Sequence, residues 1–456
     1  MALFMGALDN LVVTNALPVI KRQLHASLPS LEWTVNAYTL SFAVLLLTGA
    51  ALGERFGRRR MLLIGVGIFT LGSMAAALAP NINALIFARM LQGTGAAIMT
   101  PLTLTILSRA VAPERRGLAL GIWGAVGGLA VAVGPVVGGA VVQGVSWQWI
   151  FWLNVPIGAM LVPLGALRLE ESYGERQRMD LPGLAMASVA LFGIVFGLVR
   201  ANDIGWSSAE VLAALIGGAL LLGAFVTWET RTPTPMLPMR LFRSRGFTAT
   251  NVASFLMFFG MFGSIFLLSQ FLQTAQHYSP LQAGLRVLPW TAMPMLIAPF
   301  AGALSDKIGG RIVVATGMVL QGAGLAWIAS ITSVSVSYLA LVPAFVLNGI
   351  GMSLFFAPMA NLVLSSVRRE EEGIASGATN AVRELGGVFG IAVLSAVFSA
   401  HGSYATPAMF VSGLLPAVTI GAIFVFIGAL AVLVAPSRAK KAGEEVCELV
   451  AEPVAA

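Results

Sequence analysis

The chain contains a single cysteine and three histidines, and only 10% of its 456 residues are charged. The lone Cys447 excludes a disulfide framework and any multi-cysteine metal site. The shortage of charge excludes a water-soluble globule. Such domains carry roughly 25% charged residues, and a soluble chain of this length must cover its surface with polar groups. No P-loop, nucleophile elbow or metal-ligand spacing occurs, so the common enzyme classes are not indicated and neither cofactor nor metal is expected. The formal charge of +7 would suit a nucleic-acid binder. The basic residues lie between hydrophobic runs, however, without an aromatic-interleaved groove or a recognisable DNA- or RNA-binding module.

What the chain does have is apolar sequence, 57% of it, in long runs separated by short polar loops. At about 1.5 Å per residue each run can cross a hydrocarbon core of roughly 30 Å. The 50 glycines and 22 prolines suit membrane helices, where small residues let backbones approach and proline is tolerated among neighbours. The runs predict fourteen spans, near 3–20, 33–53, 61–79, 84–107, 118–142, 150–167, 181–200, 209–228, 247–271, 284–304, 312–330, 338–364, 374–398 and 410–434. The first carries Asp9, lacks a basic leading region and ends at Lys21-Arg22 rather than a small-residue cleavage site, so it reads as a span and not a secretory signal. Because it begins almost at Met1, a short cytoplasmic leader is expected to precede it. Under this topology 21 of the 27 basic residues fall on one side, among them Arg58–Arg60, Arg115, Arg116, Arg240, Arg243, Arg368 and Lys440. The positive-inside rule then makes both termini cytoplasmic in a multi-pass protein of the inner membrane.

The sequence repeats itself. Ala50-Ala51-Leu52-Gly53-Glu54-Arg55-Phe56-Gly57-Arg58-Arg59 follows the second run, and Gly302-Ala303-Leu304-Ser305-Asp306-Lys307-Ile308-Gly309-Gly310-Arg311 follows the tenth. Small residue, Leu, acid, base, Gly and base stand at matching offsets. If each copy follows the second helix of a six-helix unit, the chain divides into a bundle at 1–168, two extra helices at 169–246, a second bundle at 247–435 and a cytoplasmic tail at 436–456. Such duplication is typical of transporters. In each loop the acid (Glu54, Asp306) is expected to accept backbone N–H bonds from the next helix, while Arg55, Arg58, Arg59, Lys307 and Arg311 bridge to neighbours, forming a clasp that holds one conformer. A tight basic turn that only sets topology is the plainer alternative.

Several polar residues sit where hydrocarbon is expected. Arg89, beside Gln92, lies within an apolar helix and requires a partner or a water-filled cavity. Asp9, within Leu8-Asp9-Asn10-Leu11-Val12-Val13-Thr14-Asn15, is the first candidate for a proton-coupling carboxylate. A shallow interfacial position would reduce it to a counter-ion. Arg383-Glu384 form a second intramembrane pair whose side chains diverge by about 100° along a helix, with Asn380 on the face of Glu384. They read either as a cavity-facing polar site or as an interdomain network. Gly124, Gly127, Gly134 and Gly138, with Pro135 and Gly139, place small residues near one helix face for close packing. Trp147-Gln148-Trp149-Ile150-Phe151-Trp152 reads as an aromatic belt at the membrane interface.

These segments resemble the major facilitator superfamily. The duplicated loops are similar to its signature between the second and third helices, with Glu54 for the commoner Asp and Ala50 for the leading Gly. The Ala84–Ala97 stretch, which contains Arg89, resembles the fourth-helix motif whose arginine is implicated in proton coupling. Gly134-Pro135-Val136-Val137-Gly138-Gly139 resembles the antiporter motif of exporters, with Ala130 at its leading Gly position. The Asp9 segment, Trp147–Gly158, Leu237–Arg243 and Tyr278–Gly284 resemble the fourteen-span drug:proton antiporters, the EmrB/QacA-like group. That resemblance implies two six-helix bundles plus two additional helices around a central cavity. It further implies that Asp9, Arg89, Arg383 and Glu384 serve proton coupling and that Asn15, Gln92 and Asn380 line the substrate path. Protons, small amphipathic or cationic molecules and membrane lipids are the implied partners, with a monomer sufficient for function. A dedicated exporter of one metabolite, antibiotic or lipid precursor shares every one of these features, and a non-transporting receptor or scaffold is the alternative of another class.

Overall fold

A computed structural model describes residues 1–111, 116–173, 180–368 and 371–435. It is all-helical. The first bundle comprises α1 (Ala2–Gln23), α2 (Leu28–Phe56), α3 (Arg58–Ala77), α4 (Ile82–Ala110), α5 (Arg116–Gly144), the short α6 (Trp149–Trp152) and α7 (Asn154–Arg168). A hairpin of α8 (Leu181–Ile204) and α9 (Ala209–Arg231) follows. The second bundle contains α10 (Arg245–Thr274), α11 (Pro280–Thr291), α12 (Met293–Ile308), α13 (Gly310–Ile331), α14 (Tyr338–Leu364), α15 (Glu372–His401) and α16 (Pro407–Val432). The starts are chemically marked. Asn81 accepts from Ala84 N–H at 2.9 Å, and Ser279 with Gln282 forms a reciprocal capping box ahead of Pro280.

Among the described residues twelve helices, not the expected fourteen, are long and apolar enough to cross a membrane. Two of the expected spans account for the difference. The fifth falls on α5, where only the apolar stretch Ala132–Gly144 is described in full. The tenth is broken at Ala292 into α11 and α12, because Pro294 lacks an N–H and Pro289 lies one turn before the break. The chain is nonetheless an integral, multi-pass membrane protein.

The helix pairings repeat between bundles. In the first, α1 packs on α5, α2 and α3 on α4, and α3 on α7. In the second, α10 packs on α15, α12 and α13 on α14, and α13 on α16. With α11 and α12 counted as one broken element, these are the same pairs in the same order. The bundles meet through α2 against α15 and α5 against α11, which again exchange under a pseudo-two-fold. The hairpin lies outside this symmetry. On α8, Leu191, Val195 and Val199 join Leu40 and Val44 of α2 and Val388 and Ala392 of α15 in one buried cluster, so α8 covers the α2–α15 seam.

Candidate functional site: the interdomain cavity and its two charge clusters

A cavity of about 280 Å³ lies between the bundles. From the first bundle it is lined by Gly6, Ala7, Tyr38 and Phe42, and from the second by Phe258, Phe262, Phe356, Asn380, Arg383 and Glu384. Leu46, Thr100 and Asn380 are shared with a vestibule of about 390 Å³ that runs to Glu54 and Asp180, at the membrane face carrying Arg58–Arg60. Towards the opposite face the bundles are closed on one another. Ser269 donates to the Asn15 side-chain oxygen at 2.8 Å, Gln273 to the Asn15 carbonyl at 2.9 Å, and Leu281 N–H to Gln143 at 3.3 Å. The ammonium of Lys21 sits 3.0 Å from the ring centroid of Tyr404. The Gly-Pro-x-x-Gly-Gly stretch of α5 makes this closure possible. Gly139 meets the backbone of Pro280 and Leu281, and Gly284 of α11 meets the Pro135 carbonyl, where any Cβ would collide. Gly134 and Gly138 instead admit Leu11 and Val12 of α1. The surroundings of Gly124 lie outside the described residues; among those described, Gly127 approaches Leu3.

The candidate charges fall into two groups with different surroundings. Asp9 is 2% exposed and Arg89 is fully buried. They form an ion pair. Gln92 and Asn154 each donate to the Asp9 carboxylate at 3.0 Å, Ser73 accepts from Gln92 at 2.7 Å, and Arg89 Nε donates to the Thr34 carbonyl at 3.1 Å. Neither Asp9, Arg89 nor Gln92 lines the cavity; Tyr38, whose ring lies 4.4 Å from the Arg89 guanidinium carbon, stands between. A buried pair held by this many hydrogen bonds is expensive to break, since removing one partner leaves an uncompensated charge worth about 3–5 kcal/mol. Asn154, two residues beyond the short α6, is a member to which sequence reasoning gave no role; its signals were an amide inside an apolar stretch and a place within Trp147–Gly158.

Arg383 and Glu384 of α15 both face the cavity. Among the described residues Glu384 makes no hydrogen bond or ion pair, and the two do not pair with each other. Arg383 donates to Asn380 at 3.3 Å, and its guanidinium carbon lies 5.8 Å from the ring centroids of Phe258, Phe355 and Phe356. Asn15 lines a separate small recess with Trp290 and Phe345. Of the three residues expected along a substrate path, only Asn380 therefore reaches the main cavity.

The duplicated loops prove alike in backbone and in one arginine. Gly57 (φ +105°) and Gly309 (φ +92°) both adopt a conformation that L side chains rarely reach, and each closes the preceding helix. Arg59 donates to the Leu169 carbonyl at 3.1 Å, beyond the end of α7. Arg311, at the same offset, donates to the Ala435 carbonyl at 3.1 Å, beyond the end of α16. Each loop thus ties the third helix of its bundle to the sixth. The expected role of Glu54 needs correction. It pairs with Arg58 one turn on, through Nε at 2.8 Å, because both sit on the same side of the loop. The carboxylate that accepts the N-terminal amides of α3 is Glu171, from Arg59 N–H at 2.9 Å and Arg60 N–H at 3.1 Å. Arg55 lies against Phe56 and Lys307 is exposed, while the Asp306 side chain falls outside the described residues. The aromatic belt needs correction too. Trp147 is 1% exposed and donates to Gln23 at 2.8 Å, leaving Trp149 as the exposed ring of that segment.

The profile of the Major Facilitator Superfamily matches residues 1–391 and 250–451. The chain belongs to that superfamily. It is a secondary-active transporter of small organic solutes rather than an enzyme. Among curated superfamily relatives, it is 36% identical over 403 residues to the multidrug resistance protein Stp of Mycobacterium tuberculosis, covering 88% of this chain and 74% of the relative. It is 33% identical over 416 residues to the tetracenomycin C resistance and export protein of Streptomyces glaucescens, with coverages of 91% and 77%. The cephamycin export protein CmcT of Amycolatopsis lactamdurans is 36% identical over 417 residues, with coverages of 90% and 85%. In fold it matches the human organic anion transporter TETRAN (TM-score 0.63, 14% identity, 94% of this chain and 98% of that one). A peptide transporter POT in complex with sulfate gives a TM-score of 0.68 at 16% identity, covering 96% and 94%. Among the described residues no cluster of His, Cys, Asp or Glu is placed to hold a metal.

Proposed function

We propose that the protein exports small amphipathic compounds across the cytoplasmic membrane in exchange for protons, as a fourteen-span EmrB/QacA-like antiporter with both termini in the cytoplasm. In this reading α5 and the broken α11–α12 pair are the two crossings beyond the twelve, and the face carrying Arg58–Arg60 is cytoplasmic. The observation that carries it is Glu384, which makes no hydrogen bond or ion pair among the described residues, in an aromatic cavity whose vestibule leads to that face, while the opposite side is closed. That is an inward-facing arrangement. A carboxylate without a partner at this depth exchanges protons with whichever side the cavity faces, and a cationic group on a substrate competes for its charged form. Asp9 is the second carboxylate. Its pairing with Arg89 belongs to the deprotonated state, and because both residues sit in the first bundle, protonation of Asp9 would release Arg89 within that bundle. The names of relatives that export tetracenomycin C and cephamycin favour, as a second reading, a dedicated exporter of one secondary product.

The test is substrate-driven proton movement in reconstituted liposomes, with a panel spanning cationic dyes and neutral antibiotics. Native protein is expected to move protons against substrate; Glu384→Gln and Asp9→Asn are each expected to uncouple it. Response to a single compound would select the dedicated exporter. Substrate flux that is equal with and without a proton gradient, and unchanged in both variants, would overturn antiport.

A further inference from the structure

Two opposite charges face one cavity; they attract one another electrostatically, but among the described residues neither forms an ion pair. Among the described residues the Arg383 guanidinium has a single long hydrogen bond, to Asn380, and its Nε is sealed from solvent without an acceptor. Three phenylalanine rings surround it, which favour a cation but supply no acceptor for its N–H groups. Glu384, the next residue, points elsewhere along the same wall and accepts nothing among the described residues. The Asp9–Arg89 pair behind Tyr38 shows the contrasting case, where each charge in the apolar interior is matched by side chains of the protein itself. Uncompensated charges at this depth are retained where a solute completes them.

We infer that the cavity recognises aromatic zwitterions: an acid group of the solute docks on Arg383, a basic group on Glu384, and the aromatic body lies among Phe42, Phe258, Phe262 and Phe356. This deepens the antiport reading and rests on it. A guanidinium offers a planar fork to a carboxylate or phosphonate, which a lysine would not reproduce. The basic group of the solute replaces a proton on Glu384, so the site exchanges one for the other. An anion alone would satisfy Arg383 but would hold the proton on Glu384 rather than displace it. A cation alone would do the reverse and leave Arg383 bare. Only a solute carrying both signs satisfies the pair. The volume of about 280 Å³ suits a compact solute of one or two fused rings, being near the lower end of small-molecule sites.

The experiment compares three matched probes, naphthylalanine (zwitterion), its primary amide (cation) and its N-acetyl derivative (anion), by calorimetric titration of the purified full chain. In native protein the zwitterion is expected to bind roughly tenfold or more tightly than either singly charged probe. Arg383→Gln should abolish the preference over the amide, and Glu384→Gln the preference over the N-acetyl form. Arg383→Lys, which keeps the charge and guards against a folding defect, should retain a reduced preference. Equal binding of the amide and zwitterion to native protein, equal weakening of all three probes by Arg383→Gln, or no binding of the zwitterion would each overturn the inference. Liposome flux with the same probes and one cationic dye separates this from the reading beneath it. Proton-coupled export of the dye without zwitterion preference removes only the inference. Zwitterion-selective binding without flux upholds the site and removes the antiport.

Discussion

Replacing Glu171 by alanine removes the carboxylate that caps α3. The residue follows α7, more than a hundred positions from the helix it terminates, and accepts from the amides of Arg59 and Arg60 at 2.9 and 3.1 Å and from Ser172 at 3.1 Å. Its second oxygen lies 3.7 Å from Arg59 Nε. Loss of a side-chain cap costs about 0.5–2 kcal/mol, and loss of a negative charge at a helix N-terminus a further 0.3–1 kcal/mol or so. The Arg59 pair adds little, since its side chain is 35% exposed. The expected destabilisation is therefore about 1–3 kcal/mol. Glu171→Gln, which keeps one acceptor oxygen and loses the charge, should cost less than half of that. Reversible unfolding of the purified protein in mixed micelles by added sodium dodecyl sulfate, followed by tryptophan fluorescence, measures both. The exposed neighbour provides the control: Glu170→Ala should stay within about 0.5 kcal/mol of native. If Glu171→Ala is as silent as Glu170→Ala, the cap does not brace this loop and the reasoning fails.

Other perturbations test other parts of the structure. Gly57→Ala and Gly309→Ala should each destabilise by about 1–2 kcal/mol for the left-handed backbone, and Gly57→Ala by more, because its Cβ would lie 2.7 Å from the Glu171 carboxyl carbon; the same micelle titration ranks them. Gly139→Val should hold α5 off the Pro280–Leu281 backbone, where even a Cβ would lie 2.7 Å from Leu281 Cα. Labelling of a cysteine introduced at Phe42 by a membrane-impermeant maleimide from the Lys21 side should then rise severalfold, and an unchanged rate would refute the closure. At the other face, hydrogen bonding from Arg368 and the nearby Arg240 hold the Glu371 carboxyl below its ordinary range. The stabilisation is present above the ordinary carboxylate range and is lost as pH falls through the depressed value. Glu371→Gln should thus lower stability at neutral pH by about 1 kcal/mol or less, as the arginines are exposed, with the difference closing in acid; a difference that grows in acid would contradict the assigned cause.

The helices were legible in the sequence because apolar run length is a local property, and the expected spans fall on helices, the sixth and tenth on interrupted ones. The break at Ala292 was written in Pro289 and Pro294, which the hydropathy of residues 284–304 conceals. The unusual charges were equally visible, since an arginine or carboxylate in a long apolar run stands out whatever it touches. Their division was not. Asp9 and Glu384 look alike in sequence, yet one is enclosed by Arg89, Gln92 and Asn154 and the other faces open space. That outcome depends on which way each helix is rotated in the bundle, a non-local result of packing. For the same reason Glu54 was assigned a role that belongs to Glu171: the loop motif marks where a carboxylate is needed, while the donor of that carboxylate comes from a distant strand of chain.

The hairpin has a consequence for how solutes reach the cavity. Because α8 buries the middle of the α2–α15 junction under its own valines and leucine, a lipophilic molecule in the bilayer meets α8 there rather than an open groove between those two helices. Of the two seams that the pseudo-symmetry relates, one is thus covered by a third helix, while the α5–α11 seam is closed by the glycine contacts of its own two helices.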